Sequence, residues 1–338
     1  MLCCAKCIGD KTLLDSEYFR NSELSTCSYC NTAETHIVDF SKARDPFKSL
    51  VNIYSISNGD GKTLPEWLQE DWNLFPNMSL AHSRQLLADI LNDGEIVRKK
   101  FTPPSQEKNS HLDKWFALKE ELMHQNRYFP QSRINEERLR ELLDQLNIYS
   151  YDLPRDWFRS RVQQGKSHYP TSEMGAPPKN ISAQGRANPA GIPYLYLASE
   201  IETAISETRP HTGQYVTVAI FHINKNLKLV DLRNPRKSVS ALALGDEDQI
   251  ALLRKDLGFL ENLGEELTRP VLPQSANIDY VPSQYLCEFI KNCDFDGVIY
   301  NSSVGEGINL ALFDTNTANA QSVGSYAIDK VQVSISGA

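Results

Sequence analysis

The stretch that decides the reading of this chain is GRANPAGIPYLYLASEIETAISETR, residues 185–209. The apolar run Tyr194–Ala198 reads as a short strand, and the residues after it repeat apolar positions at three-to-four spacing, as a helix does. Around that strand-to-helix turn stand an arginine in a Gly-Arg-Ala-Asn loop (Arg186), a tyrosine on the strand (Tyr196) and a glutamate on the helix (Glu207). A guanidinium can grip a phosphate, an aromatic ring can stack on a flat base and a carboxylate can face a developing positive charge. Together these are the requirements of a nucleotide site. Ser199 and Glu202 have the spacing of a capping box, and Ile201, Ala204, Ile205 and Thr208 fall on one helical face.

Further along, the pattern stays mixed. YVTVAIFHI (215–223) and LKLVDL (227–232) are β-rich, a helical stretch covers 245–264, and YVPSQYLCEFIKNC (280–293) reads as a helix with Pro282 near its start. DGVIYNSS (296–303), NLALFD (309–314) and KVQVSIS (330–336) read as strands. Before the decisive stretch, residues 151–193 carry Pro154, Pro170, Pro177, Pro178, Pro189 and Pro193, which predicts mostly loop after a short start at WFRSRV. Earlier still, LAHSRQLLADILND (80–93), DKWFALKEELMHQ (113–125) and NEERLRELLDQLN (135–147) are amphipathic helices, with Asn135 placed to cap the third.

The amino-terminal segment has its own chemistry. Five of the seven cysteines fall within the first thirty residues, and Cys4-x2-Cys7 and Cys27-x2-Cys30 have the spacing of a structural zinc ribbon or knuckle. Four thiolates would close the coordination sphere, leaving no position for a reactive water, so the expected zinc is scaffolding. Cys3 is an alternative to Cys4 at looser spacing.

Composition bounds the rest. The 338 residues are 41% hydrophobic and 23% charged, with a mean hydropathy of −0.42, ordinary values for a globular chain with two or three domains. No apolar run approaches the roughly 20 residues of a membrane span, and MLCCAKCIGDK has no secretory-signal pattern. The expected location is cytoplasmic. A net charge of −8 and a pI near 5.5 disfavour non-specific nucleic-acid binding.

Singly, each candidate residue has an ordinary explanation: a solvated Glu207, a solvated Arg186, a core Tyr196, and strand-terminating Ser302 and Ser303. Their order is more specific. FRSR (158–161), GRAN (185–188), LYLA (195–198), AISE (204–207), YVPSQ (280–284) and DGVIYNSS (296–303) follow one another in a way that resembles the RES-domain family. The resemblance covers residues 151–336, and the zinc-plus-helix segment before it resembles the HEPN/RES extension of longer members. It implies an α+β fold with an ADP-ribosyltransferase-like mixed sheet, divided as a zinc-ribbon-like segment (1–42), a helical HEPN/RES domain (43–150) and a RES catalytic domain (151–338).

For function, the resemblance implies NAD⁺ as substrate, either degraded by phosphorolysis or hydrolysis, as in a toxin that depletes NAD⁺, or used to transfer ADP-ribose to a macromolecule. It also implies a helix-turn-helix antitoxin as partner. Carried over by motif, Glu207, Arg186 and Ser302 are the catalytic candidates, with Tyr196, Ser303 and one of Arg159 or Arg161 binding substrate. YVPSQ has Ser283 where the family more often has threonine; the hydroxyl is retained.

These residue types suit the reaction. Nicotinamide leaves as a neutral group and needs no acid, so one carboxylate suffices where glycosidases use two. A fixed anion such as Glu207 stabilises the oxocarbenium-like ribose, forked guanidinium groups match a pyrophosphate or an incoming phosphate, and Tyr196 can stack on nicotinamide. Competing readings are a HEPN-type ribonuclease and a non-catalytic zinc-anchored interaction protein. The one Arg-x6-His match, Arg161 to His168, lies outside the helices. A Rossmann site is not expected, because GRANPAG lacks G-x-G-x-x-G after a strand.

Overall fold

The eight-stranded sheet is assembled from strands whose residues alternate between its two faces. A computed structural model describes residues 2–10, 22–39, 43–104 and 110–332. The fold is α+β, and the chain folds into two units, one of residues 1–113 and 235–261, the other of residues 114–234 and 262–338.

In the first unit, β1 (Leu2–Cys4), β2 (Leu24–Ser25) and β3 (Thr35–Asp39) form a small sheet in the order β1-β3-β2. A second small sheet joins β4 (Ser55–Ile56), β5 (Lys62–Thr63) and β6 (Lys100–Thr102) beside helices α1 (Arg44–Asn52), α2 (Leu64–Trp72) and α3 (Leu80–Leu91). Thr63 and Glu66 form a true capping box at the start of α2, where Glu66 accepts from the Thr63 N–H at 2.7 Å and from its hydroxyl at 2.6 Å. Asp71, buried near the end of α2, ties the distant segment 235–261 to this unit. It accepts from Tyr54 Oη at 2.8 Å, from Arg254 Nε at 2.6 Å and from Arg236 Nη2 at 3.4 Å.

The second unit holds α4 (His111–His124, from residue 114 on), α5 (Glu136–Gln145) and the large sheet. Its strands are β7 (Asn147–Tyr149), β8 (Asp156–Val162), β9 (Leu195–Ala198), β10 (Tyr215–Ile223), β11 (Lys228–Asp231), β12 (Gly297–Asn301), β13 (Ile308–Leu312) and β14 (Ala318–Ala327). They lie in the order β14-β10-β8-β9-β13-β12-β11-β7. The pair β11–β12 is parallel and the other pairs are antiparallel, so the sheet is mixed. Three helices complete the framework: α6 (Ile201–Glu207), α7 (Glu247–Thr268), of which residues 262–268 belong to this unit, and α8 (Val281–Asn292).

One face of the sheet carries the core cluster that includes Trp157, Leu195, Leu197, Phe221, Leu229, Ile299, Leu310 and Leu312. Alternation then sends Tyr196, Tyr300 and Asn309 to the opposite face, where the site is built. Asn135 caps α5 as expected, accepting from the Arg138 N–H at 3.0 Å. The expected capping box at α6 is absent: Ser199 Oγ instead accepts the Ile308 N–H at 3.0 Å, tying β9 to β13. Of the strand expected over 330–336, residues 330–332 carry no strand and the rest lie outside the described residues. No helix among the described residues is long and apolar enough to cross a membrane.

Candidate functional site

The Gly-Arg-Ala-Asn loop owes its shape to Asn188. Its Nδ2 donates to the carbonyls of Ala183, Pro189 and Ile192 at 2.9–3.0 Å, and its Oδ1 accepts from the Tyr196 hydroxyl at 2.7 Å. The Tyr196 oxygen in turn accepts the Ala187 N–H at 3.0 Å. The crowding requires glycine at 185: a Cβ there would stand 2.5 Å from Tyr196 Oη and 2.6 Å from Asn188 Oδ1. From α8, Ser283 Oγ donates to the Arg186 carbonyl at 2.6 Å and Gln284 Nε2 to the Gly185 carbonyl at 2.9 Å. The YVPSQ segment therefore straps the loop in place with buried side chains.

The loop so held presents Arg186. Its Nη1 donates to the Arg269 carbonyl at 2.7 Å and its Nη2 to Ser303 Oγ at 2.9 Å, while the guanidinium lies 5.5 Å from the Tyr280 ring centre. Glu207, the last residue of α6, faces it across the same cavity. Glu207 Oε1 accepts from Ser302 Oγ at 2.7 Å and from Asn309 Nδ2 at 2.6 Å; Oε2 has no hydrogen-bond partner among the described residues. The loop after β12 packs directly on α6, where Gly307 N–H donates to Thr203 Oγ1 at 3.1 Å and a Cβ on Gly307 would stand 2.6 Å from that oxygen.

The two early arginines part company. Strands β8 and β9 meet at a single bridge, Phe158 to Ala198. Beyond it Arg159 Nη1 donates to the Tyr196 carbonyl at 3.0 Å, and its buried Nε has no partner. Burial, with the nearby charge of Arg161 second, pushes the Arg159 guanidinium down to about 10, still cationic at neutral pH. Arg161 instead stacks 4.2 Å from the Tyr169 ring centre and donates to the Glu173 carbonyl.

Arg159, Arg186, Tyr196 and Glu207 line one cavity of about 520 Å³, together with Phe158, Tyr280, Tyr300, Asn309 and Arg209. Ser302 and Ser303 reach it through their hydrogen bonds to Glu207 and Arg186; Arg161 is not among its lining residues. Burial pushes the phenols of Tyr196 and Tyr300 above the ordinary range, so both are neutral donors. Sequence reasoning does not single out Asn309, Asn188 or Arg209. The signal for Asn309 is a lone amide opening an otherwise apolar strand.

A second constellation lies in the first unit. The sulfurs of Cys4, Cys7, Cys27 and Cys30 lie within 4.8 Å of one another and can hold a metal ion. Cys4–Cys7, Cys4–Cys30 and Cys7–Cys27 are 3.7, 3.6 and 3.8 Å apart. A tetrahedral ion with metal–sulfur bonds of about 2.3 Å has edges of about 3.8 Å, so the donor set fits. The Cys4 N–H donates to Cys27 Sγ at 3.4 Å, and Cys3 points its sulfur at the Cys4 carbonyl, outside the four.

A family-level comparison identifies a RES domain over residues 156–332, more than half of the chain. Among curated proteins there is no match. Three chains of solved structures match. One is from the crystal structure of the M. tuberculosis MbcT–MbcA toxin–antitoxin complex: 12% identical, it covers 56% of this chain and 92% of its own, with a TM-score of 0.34. On the extent of the domain match, this chain belongs to the RES-domain family.

Proposed function

We propose that the cavity binds NAD⁺ and breaks its nicotinamide–ribose bond. The observation that carries this reading is the pairing across one cavity of a carboxylate with a free oxygen, Glu207, and two guanidinium groups, Arg186 and Arg159. As the C1′–N bond lengthens, its electron pair goes to nicotinamide, which leaves neutral, and positive charge grows on the ribose. Glu207 stabilises that charge, held in place by Ser302 and Asn309. Arg159 and Arg186 take the pyrophosphate, and the ring of Tyr196 offers a stacking surface. An oxygen of water or of inorganic phosphate then bonds to C1′, giving ADP-ribose with release of a proton, or ADP-ribose phosphorylated at that carbon.

Under this reading residues 151–338 are the catalytic domain and the protein is a toxin that depletes NAD⁺, restrained by a helix-turn-helix antitoxin. Residues 43–150 form the HEPN/RES extension, and Cys4, Cys7, Cys27 and Cys30 hold a structural zinc that supplies folding energy to residues 1–42 and takes no part in the reaction. The purified full-length protein, incubated with NAD⁺ with and without phosphate, is expected to release nicotinamide, and mass spectrometry of the second product identifies the acceptor. ADP-ribose attached to protein or nucleic acid would move the assignment to ADP-ribosyl transfer, and intact NAD⁺ under all conditions would exclude the reaction.

A further inference from the structure

The cavity has a third cation that the motif does not contain. Arg209 lines it, two residues beyond Glu207, and its backbone is left-handed, with φ of 49°. That position follows the end of α6, where Thr208 Oγ1 donates to the Ile205 carbonyl at 2.7 Å and the Arg209 N–H to the Ser206 carbonyl at 3.0 Å. Pro210 follows and disfavours a right-handed helical residue before it. Glycine is the usual occupant of such a site, because any side chain there is strained. Arginine stands in this strained conformation even though its guanidinium gains nothing locally: it makes no hydrogen bond or ion pair among the described residues.

The other two cations of the cavity are partly spent. Arg186 has both terminal nitrogens engaged, by the Arg269 carbonyl and Ser303, and Arg159 has one engaged by the Tyr196 carbonyl. Arg209 alone among the three keeps its whole fork free. The carboxyl end of α6 also favours a cation there. We propose that Arg209 is a phosphate-binding residue of this cavity, whose free guanidinium grips a phosphate group bidentately. The phosphate belongs either to the dinucleotide or to free phosphate entering as the acceptor. This assignment rests on the NAD⁺ reading of the cavity and adds to it the group that fixes phosphate affinity.

The test uses the full-length protein and its Arg209→Ala, Arg209→Lys and Arg209→Gly variants. Calorimetric titration with inorganic pyrophosphate, ADP-ribose and inorganic phosphate is paired with KM values for NAD⁺ and for phosphate. Loss of one bidentate charged contact is expected to raise the affected Kd and KM about tenfold in Arg209→Ala, with partial recovery in Arg209→Lys. Arg209→Gly is expected to weaken binding equally while melting no lower than wild type, since glycine relieves the strained backbone. A change confined to pyrophosphate, ADP-ribose and NAD⁺ assigns the residue to the dinucleotide; one confined to inorganic phosphate assigns it to the acceptor. Dissociation constants within twofold of wild type for every ligand, or no binding of pyrophosphate, ADP-ribose or inorganic phosphate by wild type, overturn the proposal, as does an Arg209→Gly protein that melts lower in step with its lost binding. If wild type binds ADP-ribose through Arg209 but releases no nicotinamide, the reaction fails and the residue's role stands. Nicotinamide release that Arg209→Ala leaves unaltered in both KM values has the opposite meaning.

Discussion

Ser302 Oγ donates to Glu207 Oε1 across 2.7 Å, joining residues 95 positions apart in the sequence. One sits past the end of β12 and the other on the last turn of α6, so the bond fixes the carboxylate against the sheet. Asn309 donates to the same oxygen, and Oε2 has no hydrogen-bond partner among the described residues. Glu207 is thus held by two neutral donors.

Each donor contributes a hydrogen bond to a charged group, worth about 1.5–3 kcal/mol. Ser302→Ala and Asn309→Ala are each expected to lower kcat for nicotinamide release by about 10- to 100-fold, with smaller changes in KM. Steady-state kinetics checks this. A wild-type kcat in Asn309→Ala would remove that residue from the site.

Gly185→Ala places a methyl group where Tyr196 Oη and Asn188 Oδ1 already stand. The overpacked loop should lose about 1–3 kcal/mol and shift Arg186. Thermal melting and KM for NAD⁺ together report it, and an alanine variant matching wild type in both would mean the loop accommodates the methyl group.

How much of this is legible in the sequence differs from element to element. β10 is readable because β-branched and aromatic residues fill most of 215–223. β14, Ala318–Ala327, is not, because its small polar residues form a strand only through pairing with β10. The motif order brings out Arg186, Tyr196 and Glu207, and all three line the cavity. Local spacing leaves Arg159 and Arg161 equivalent, two residues apart on one strand; the parting of β8 from β9, a tertiary event, separates them. Residues 235–261 join the amino-terminal unit through Asp71, a long-range ion pairing that periodicity does not encode.

That pairing has its own consequence. Asp71→Ala leaves Arg254 and Arg236 without their buried counter-charge and is expected to cost about 3–5 kcal/mol. A urea titration of the full chain, followed by tryptophan fluorescence, measures it, and a loss below about 1 kcal/mol contradicts a stabilising role for the cluster.

The capping box of α2 gives a pH dependence. The Thr63 hydroxyl, then its N–H, holds the Glu66 carboxyl below the usual range. The folded state therefore releases this proton more readily than the unfolded chain does. The resulting stability is present above the ordinary carboxylate range and is lost as pH falls through the lowered value. Glu66→Ala should cost about 1 kcal/mol at neutral pH and progressively less in acid. A cost that does not change with pH would show that the carboxylate charge is not the source.

Metal analysis of the full chain should find about one zinc ion per chain, abolished in a Cys27→Ser/Cys30→Ser double variant, with faster proteolysis of the amino-terminal segment after chelation. Protein purified with zinc present and found metal-free would leave the four thiols without that role.

Glu207→Gln, assayed for nicotinamide release from NAD⁺ beside wild type, tests the central claim most directly, because it removes the charge and leaves the shape. The predicted result is a loss of about 10²–10³-fold in kcat with binding of ADP-ribose retained. Release at the wild-type rate by the glutamine variant would contradict the account.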